Sequence, residues 1–114
     1  MHRFQRKGGR LYAEGVALDR LADRLGTPLY VYSSGTIVDH YRRLRGVLRA
    51  VDPLVCYSVK ANSNLAILSI LARLGSGFDV VSGGELERVR KVGGKMERCV
   101  FAGVGKTQDE IELG

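Results

Sequence analysis

Lys60 is the residue in this sequence that is best placed to do chemistry, because it follows the short apolar run of residues 56–59. A lysine at the carboxyl end of a buried strand is partly desolvated, which lowers the pKa of its amine and makes it a better nucleophile toward an aldehyde. Such a lysine could form an imine. Its position alone is explained slightly better by an ordinary strand-end lysine that reaches solvent, so both interpretations stay open.

Two acidic residues are candidate neighbours of this lysine. Asp79 lies inside the apolar run of residues 78–81, where a buried carboxylate is costly unless it is paired. We therefore expect an ion pair with Lys60 on the adjacent strand, and a purely structural pair would be compatible with function. Glu85 ends the pattern Ser-x-x-Glu that begins at Ser82, which is a helix capping box. Capping is the better explanation of Ser82, whereas capping and a role in a site explain Glu85 equally well.

Three glycine-rich segments could bind phosphate. Residues 83–84 would let an anionic ligand approach the start of a helix, where free amide groups favour phosphate. Residues 103–107 look like a phosphate-binding P-loop, but Val100 stands where that loop needs a glycine. Residues 75–77 lack the third glycine of a dinucleotide-binding fingerprint, since residue 80 is valine. Only the first segment remains a candidate.

Alternating strands and helices position these residues. Positions 59, 80 and 101 are equivalent strand ends that recur every 21 residues. A strand and helix repeated at this period indicate parallel strands with helical crossovers, and the apolar strands predict a sheet covered on both faces. Because the carboxyl ends of parallel strands meet at one rim, the candidate residues should share that rim. The predicted elements are strands over 54–59, 78–81 and 99–102, and helices over 65–74, 83–92 and from Thr107 to Gly114. The last helix should begin with a capping box formed by Thr107 and Glu110.

The amino-terminal third has a different pattern. Residues 3–17 are polar and punctuated by glycine, which predicts a hairpin or two edge strands. A helix should follow over 18–25 and end at Gly26. A strand is predicted over 29–32, and Ser34 is the predicted N-cap of a helix that ends before Pro53.

The composition excludes several classes of protein. The chain has 114 residues and a net charge of +6, but its basic residues are scattered and no aromatic residues alternate with them, which disfavours a nucleic-acid-binding protein. No stretch approaches the ~20 apolar residues of a membrane helix. The amino terminus lacks the apolar core of a signal peptide, so we expect a cytoplasmic protein. The histidines and cysteines lack ligand spacing, so we expect no metal site and two free thiols, Cys56 and Cys99.

Four segments, residues 26–32, 57–62, 78–86 and 101–107, carry motifs that together resemble those of the diaminopimelate decarboxylases, which belong to the alanine racemase-like, fold-type III pyridoxal-phosphate enzymes. Alanine racemases usually continue their lysine motif with Ala-Tyr-Gly, whereas this chain has Ser-Asn-Leu at 63–65. Ornithine-type decarboxylases usually carry a cysteine after the lysine, whereas this chain has Ala61.

The resemblance implies an α/β fold. Residues 33–114 would form the first three βα units of a (β/α)8 TIM barrel that is incomplete here. Residues 1–32 would belong to a second, β-rich domain. Because a barrel needs ~250 residues, we expect the chain to be the amino-terminal piece of a longer protein, inactive by itself.

The resemblance also implies a site and a reaction. Lys60 would be the catalytic residue and would bind pyridoxal 5′-phosphate as an imine. Asp79 and Glu85 would lie near it and stabilise its ammonium form once substrate has displaced it. The reaction would be decarboxylation of meso-diaminopimelate to L-lysine and carbon dioxide by a homodimer. Another basic amino-acid decarboxylase of this fold, or a non-catalytic pyridoxal-phosphate-binding module, is the alternative.

Overall fold

The chain folds into two compact units, one ending at Leu44 and the other beginning at Arg45. A computed structural model describes residues 2–113, so Gly114, where the predicted last helix ends, lies outside the described residues. The division falls within helix α2 (Ser34–Val47). The sequence predicts a domain boundary after residue 32, and that assignment stays a prediction.

The first unit begins with an antiparallel sheet of three strands that lie in chain order, which confirms the predicted hairpin and adds a third strand. The following helix ends at Gly26, whose φ of 82° is the conformation that favours glycine there. The strand predicted over 29–32 is wrong: these residues pair with no described strand, and Tyr30 is 86% exposed. The elements are β1 (Phe4–Lys7), β2 (Arg10–Ala13), β3 (Val16–Ala17) and α1 (Leu18–Leu25).

Helix α2 is capped one residue earlier than predicted. The hydroxyl of Ser33, and not of Ser34, accepts the backbone N–H of Thr36 at 3.0 Å. Glu14 supports this start, since its Oε1 accepts the hydroxyl of Ser33 at 2.7 Å and the backbone N–H of Gly35 at 2.8 Å. These two hydrogen bonds lower the pKa of Glu14, and the one from Ser33 has the larger effect. The adjacent serines are chemically equivalent, so the sequence alone could not choose between them.

The second unit is built on a parallel sheet of three strands that lie in chain order. Its register pairs Ser58 with Asp79 and Val80 with Phe101, so the predicted 21-residue repeat is the register of the sheet. The predicted α/β architecture is confirmed. The elements are β4 (Cys56–Ser58), α3 (Leu65–Arg73), β5 (Gly77–Val80), α4 (Gly83–Lys91), β6 (Cys99–Phe101) and α5 (Gln108–Leu113).

The core of this unit lies on one face of the sheet. Phe78 and Val80 of β5 are fully buried, and each such side chain contributes about 1.5–3 kcal/mol by leaving water. Val100, which pairs with Asp79 on the other face, is 50% exposed. The prediction that both faces are covered is therefore wrong for the described residues. The other core residues are Val59, Ile67, Leu68, Leu71, Leu86 and Val89.

Some features are absent from residues 2–113. No helix in this part of the chain is long and apolar enough to cross a membrane. Nor does this part hold a group of three His, Cys, Asp or Glu side chains that could bind a metal ion. Cys56 and Cys99 are both free thiols, as predicted.

Candidate functional site

Lys60 lies just beyond β4, in a single 3-10 turn over Val59–Ala61. Strand β4 ends at Ser58, earlier than predicted, so Lys60 belongs to the turn and its side chain is exposed. The partial burial predicted for Lys60 is thus wrong for the described part of the chain. Val59 is fully buried and anchors the turn. The amino group of Lys60 makes no hydrogen bond or ion pair with another described residue, which leaves it available to a ligand.

The loop after Lys60 is fixed by hydrogen bonds. Tyr57 donates its hydroxyl to the carbonyl of Asn62 at 3.2 Å. Oδ1 of Asn62 accepts the backbone N–H of Asn64 at 3.0 Å. Asn64 in turn caps α3 by accepting the N–H of Ala66 at 2.9 Å. These bonds hold the turn that carries the lysine, a role that the sequence did not assign to either asparagine.

Asp79 is held by Ser58 and not by Lys60. The hydroxyl of Ser58 donates to Oδ2 of Asp79 at 3.1 Å across the paired strands. The predicted Lys60–Asp79 ion pair is wrong, since the two charged groups are not within 4.0 Å, because Lys60 lies past the strand in the turn. The other oxygen, Oδ1, is buried and has no hydrogen-bond partner among the described residues. Buried acceptors normally have a hydrogen-bond donor, so a group bound at this site is expected to donate a hydrogen bond to Oδ1.

Ser82 and Glu85 form the predicted cap of α4. The hydroxyl of Ser82 accepts the backbone N–H of Glu85 at 3.2 Å, which confirms the capping role of the serine. Oε2 of Glu85 accepts the N–H of Val81 at 2.8 Å, so its carboxylate also binds backbone at the helix start. The structure confirms that Glu85 helps to cap α4, which is one of its two explanations. A further role of Glu85 in the site stays a prediction.

The start of α4, predicted as a phosphate-binding position, already holds a carboxylate of this chain. Oε1 of Glu110 accepts the backbone N–H of Gly83 at 3.0 Å. Its Oε2 accepts the N–H of Thr107 at 3.1 Å, and the hydroxyl of Thr107 accepts the N–H of Glu110 at 3.2 Å, which is the predicted capping box. Hydrogen bonds from the backbone amides of Gly83 and Thr107 lower the pKa of Glu110, and the one from Gly83 has the larger effect. The contact with Gly83 was not predicted.

A second lysine follows a strand at the same rim but is engaged. Nζ of Lys106 donates to the carbonyl of Gly103 at 2.8 Å. The same atom lies 5.4 Å from the centroid of the Phe101 ring, within the range of a cation–π contact. Of these two rim lysines, Lys60 is the one whose amino group is left for a ligand.

The site therefore offers a free primary amine in the turn that follows β4, and a buried carboxylate oxygen without a donor on the strand that pairs with β4. This donor set fits a cofactor that carries an aldehyde for the lysine and a hydrogen-bond donor or positive charge for the acid. The chain belongs to the pyridoxal-dependent decarboxylases: residues 34–113 match the pyridoxal binding domain of that family. The predicted family and its pyridoxal cofactor are confirmed.

Within this family, the chain is similar to decarboxylases of two kinds. The chain is 55% identical over 111 residues to the diaminopimelate decarboxylase of Pseudomonas fluorescens, a match that covers 97% of this chain and 27% of the relative. A crystal structure of diaminopimelate decarboxylase from M. jannaschii, also solved in co-complex with L-lysine, is similar, with a TM-score of 0.94 and 39% identity over 98% of this chain and 27% of that one. Lysine decarboxylase from Selenomonas ruminantium has a TM-score of 0.80 and 32% identity over 99% of this chain and 28% of that one.

These matches also show how much of a relative the chain represents. It spans about 27% of the length of three curated diaminopimelate decarboxylases that match 97% of its residues. Activities and ligands of the whole relatives therefore bear on this chain as proposals.

Proposed function

We propose that this chain is the amino-terminal, cofactor-binding part of a decarboxylase that uses pyridoxal 5′-phosphate to convert meso-diaminopimelate to L-lysine and carbon dioxide. The observation that carries the proposal is that the free amine of Lys60 and the unpartnered Oδ1 of Asp79 belong to neighbouring segments at the carboxyl ends of parallel strands in a pyridoxal binding domain. Two curated relatives that match 97% of the chain at 55% and 54% identity are named diaminopimelate decarboxylases, which supports this substrate.

Each residue of the site has a role in this proposal. Lys60 binds the cofactor through its amino group. When bound there, pyridoxal phosphate would supply the electron sink that decarboxylation needs. The carboxylates of Asp79 and Glu85 would stabilise the ammonium form of Lys60 when its amino group is not bonded to the cofactor. Ser58 keeps the carboxylate of Asp79 in place.

We propose the architecture implied by the resemblance as well. Residues 33–114 would be the first three βα units of a TIM barrel, and residues 1–32 a segment of a second, β-rich domain. Two features of the second unit support further strands: β4 and β6 each have one unpaired edge among the described residues, and the face with Asp79 is only partly covered. The homodimer and the cytoplasmic location stay predictions.

The test uses the complete protein encoded by the reading frame that contains these 114 residues. Purified with pyridoxal phosphate, it should release carbon dioxide from meso-diaminopimelate and form L-lysine in equal amount. Lys60→Ala should abolish both products, whereas Lys106→Ala should retain them, because Lys106 is bonded to backbone. Bound cofactor without carbon dioxide from any diamino acid would show a non-catalytic binding module instead.

Decarboxylation of another basic amino acid is the second candidate function. It is favoured by the similarity to the Selenomonas ruminantium lysine decarboxylase, which covers nearly the whole chain at lower identity. Values of kcat/KM for meso-diaminopimelate, L-lysine and L-ornithine distinguish the two candidate functions. We expect meso-diaminopimelate to be preferred, and a preference for either of the others would replace the first candidate with the second.

A further inference from the structure

We propose that Ser58 is a positioning residue of the cofactor site, whose hydroxyl orients the carboxylate of Asp79 and leaves Oδ1 as the acceptor for the group bound at Lys60. This inference rests on the proposed function and deepens it. Nothing in the motif pattern around Lys60 pointed to the serine, because its role depends on the neighbouring strand.

The geometry of the pair is the first argument. Ser58 and Asp79 are partners in the register of β4 and β5, so their side chains lie on the same face of the sheet. The hydroxyl has one proton to donate, and it lies 3.1 Å from Oδ2. A hydrogen bond to one carboxylate oxygen fixes the rotation of the group and therefore the position of the other oxygen.

The unpartnered oxygen is the second argument. Asp79 Oδ1 is, within residues 2–113, the one buried side-chain nitrogen or oxygen that lacks a hydrogen bond. Leaving a buried acceptor unsatisfied destabilises the folded chain, so folding alone does not explain why the carboxylate is held with Oδ1 unpartnered. A bound ligand that donates to Oδ1 removes that cost.

A serine at the opposite rim shows what a structural hydroxyl looks like in this unit. Ser76 is 3% exposed, and its hydroxyl lies 3.1 Å from the carbonyl of Val55 and 2.7 Å from that of Gly77. Both acceptors are backbone groups at the ends of the strands where no candidate site residue lies. Ser76 is therefore a matched control, because it is also a serine that hydrogen-bonds between neighbouring segments of the sheet.

The position of Ser58 along the chain is the third argument. Ser58 is the last residue of β4, and the turn that carries Lys60 begins at the next residue. Val59, between them, is fully buried and fixes the backbone. The serine therefore ties the strand that leads to the lysine to the strand that carries the acid.

The test measures cofactor affinity in the complete protein, stripped of cofactor and titrated with pyridoxal phosphate while its absorbance is followed. We expect Ser58→Ala to raise Kd about tenfold, the effect of losing one hydrogen bond to a charged group. Ser58→Thr keeps the hydroxyl and should stay within about threefold of the unmodified protein. Ser76→Ala should lower the thermal midpoint and leave Kd unchanged.

A double-mutant comparison shows whether Ser58 acts through the acid. In protein that carries Asp79→Ala, the further change Ser58→Ala should leave Kd unaltered, because the carboxylate is no longer there to orient. An undiminished effect would overturn the proposal, as would a Ser58→Ala variant that changes only the thermal midpoint, like Ser76→Ala. Failure of the proposed function is seen separately: the unmodified protein would then bind no pyridoxal phosphate at Lys60, and this inference would fall with it.

Discussion

The carboxylate of Glu110 accepts a hydrogen bond from the backbone N–H of Gly83 at 3.0 Å. This contact joins the first turn of α5, which follows β6, to the start of α4, which follows β5. The segments that follow two neighbouring strands are thus held together by one side chain. The same carboxylate caps its own helix through Thr107, so both of its oxygens are engaged.

The contact predicts an acid-sensitive part of the stability. The amides of Gly83 and Thr107 lower the pKa of Glu110 below its ordinary value of 4.5. The ionised form is therefore favoured in the folded state, and its contribution is fully present above pH 4.5 and lost as the pH falls through the lowered folded-state pKa. Glu110→Gln should reduce stability at neutral pH and flatten its decline toward acid pH, measured as urea midpoints across that range.

Glu112→Gln is the matched control. Oε1 of Glu112 accepts a hydrogen bond from the side chain of Gln108 at 3.1 Å, within the same helix, so it ties no loops together. This variant should keep the pH profile of the unmodified protein. Identical profiles for the two glutamine variants would show that the contact between Glu110 and Gly83 contributes nothing.

The two faces of the parallel sheet should respond differently to truncation. Phe78 is fully buried, so Phe78→Ala should lower the free energy of unfolding by about 3–5 kcal/mol. Val100 is on the other face and 50% exposed among the described residues, but the proposed barrel would bury this face in the complete protein, so Val100→Ala should cost less than Phe78→Ala and more than about 0.5 kcal/mol. Denaturant titration of the complete protein measures both. A change within about 0.5 kcal/mol from Val100→Ala would show that this face stays exposed and would contradict the proposed barrel.

The two cysteines should react slowly. Burial raises the pKa of the Cys56 thiol above its ordinary value of 9.0, and the charge of Asp79 adds to this. Burial likewise raises the pKa of Cys99. The thiolate is the reactive form, so at about pH 7.5 both thiols should be alkylated more slowly than free cysteine. Mass spectrometry of the peptides that contain Cys56 and Cys99 measures the two rates. Denaturant should abolish the protection, and alkylation of the folded protein at the rate of a free thiol would contradict it.

Much of the second unit could be predicted from sequence because its signals are local or periodic. The 21-residue repeat is the register of the sheet, and the capping patterns at Ser82 and Thr107 both form. The strand predicted over 29–32 failed for a different reason. Its β-branched and aromatic residues favour extended backbone, but a strand also needs a partner, and none is present among the described residues.

The contacts that shape the site were less accessible to sequence analysis. The bond between Ser58 and Asp79 could have been found, since the repeat already places these positions side by side. The contact between Glu110 and Gly83 joins residues 27 apart with no periodic relation, so no signal in the sequence identifies it. The exposure of Lys60 depends on where β4 ends, and strand boundaries are the least predictable feature of a sequence.

Attachment of the cofactor at Lys60 is the central claim, and it can be measured directly. The complete protein is purified with pyridoxal phosphate, reduced with borohydride, digested and analysed by mass spectrometry. The reduced cofactor should be found on the peptide that contains Lys60 and on no other lysine of residues 2–113, and Lys60→Ala should remove it. A label on Lys106, or on no lysine of this chain, would contradict the account.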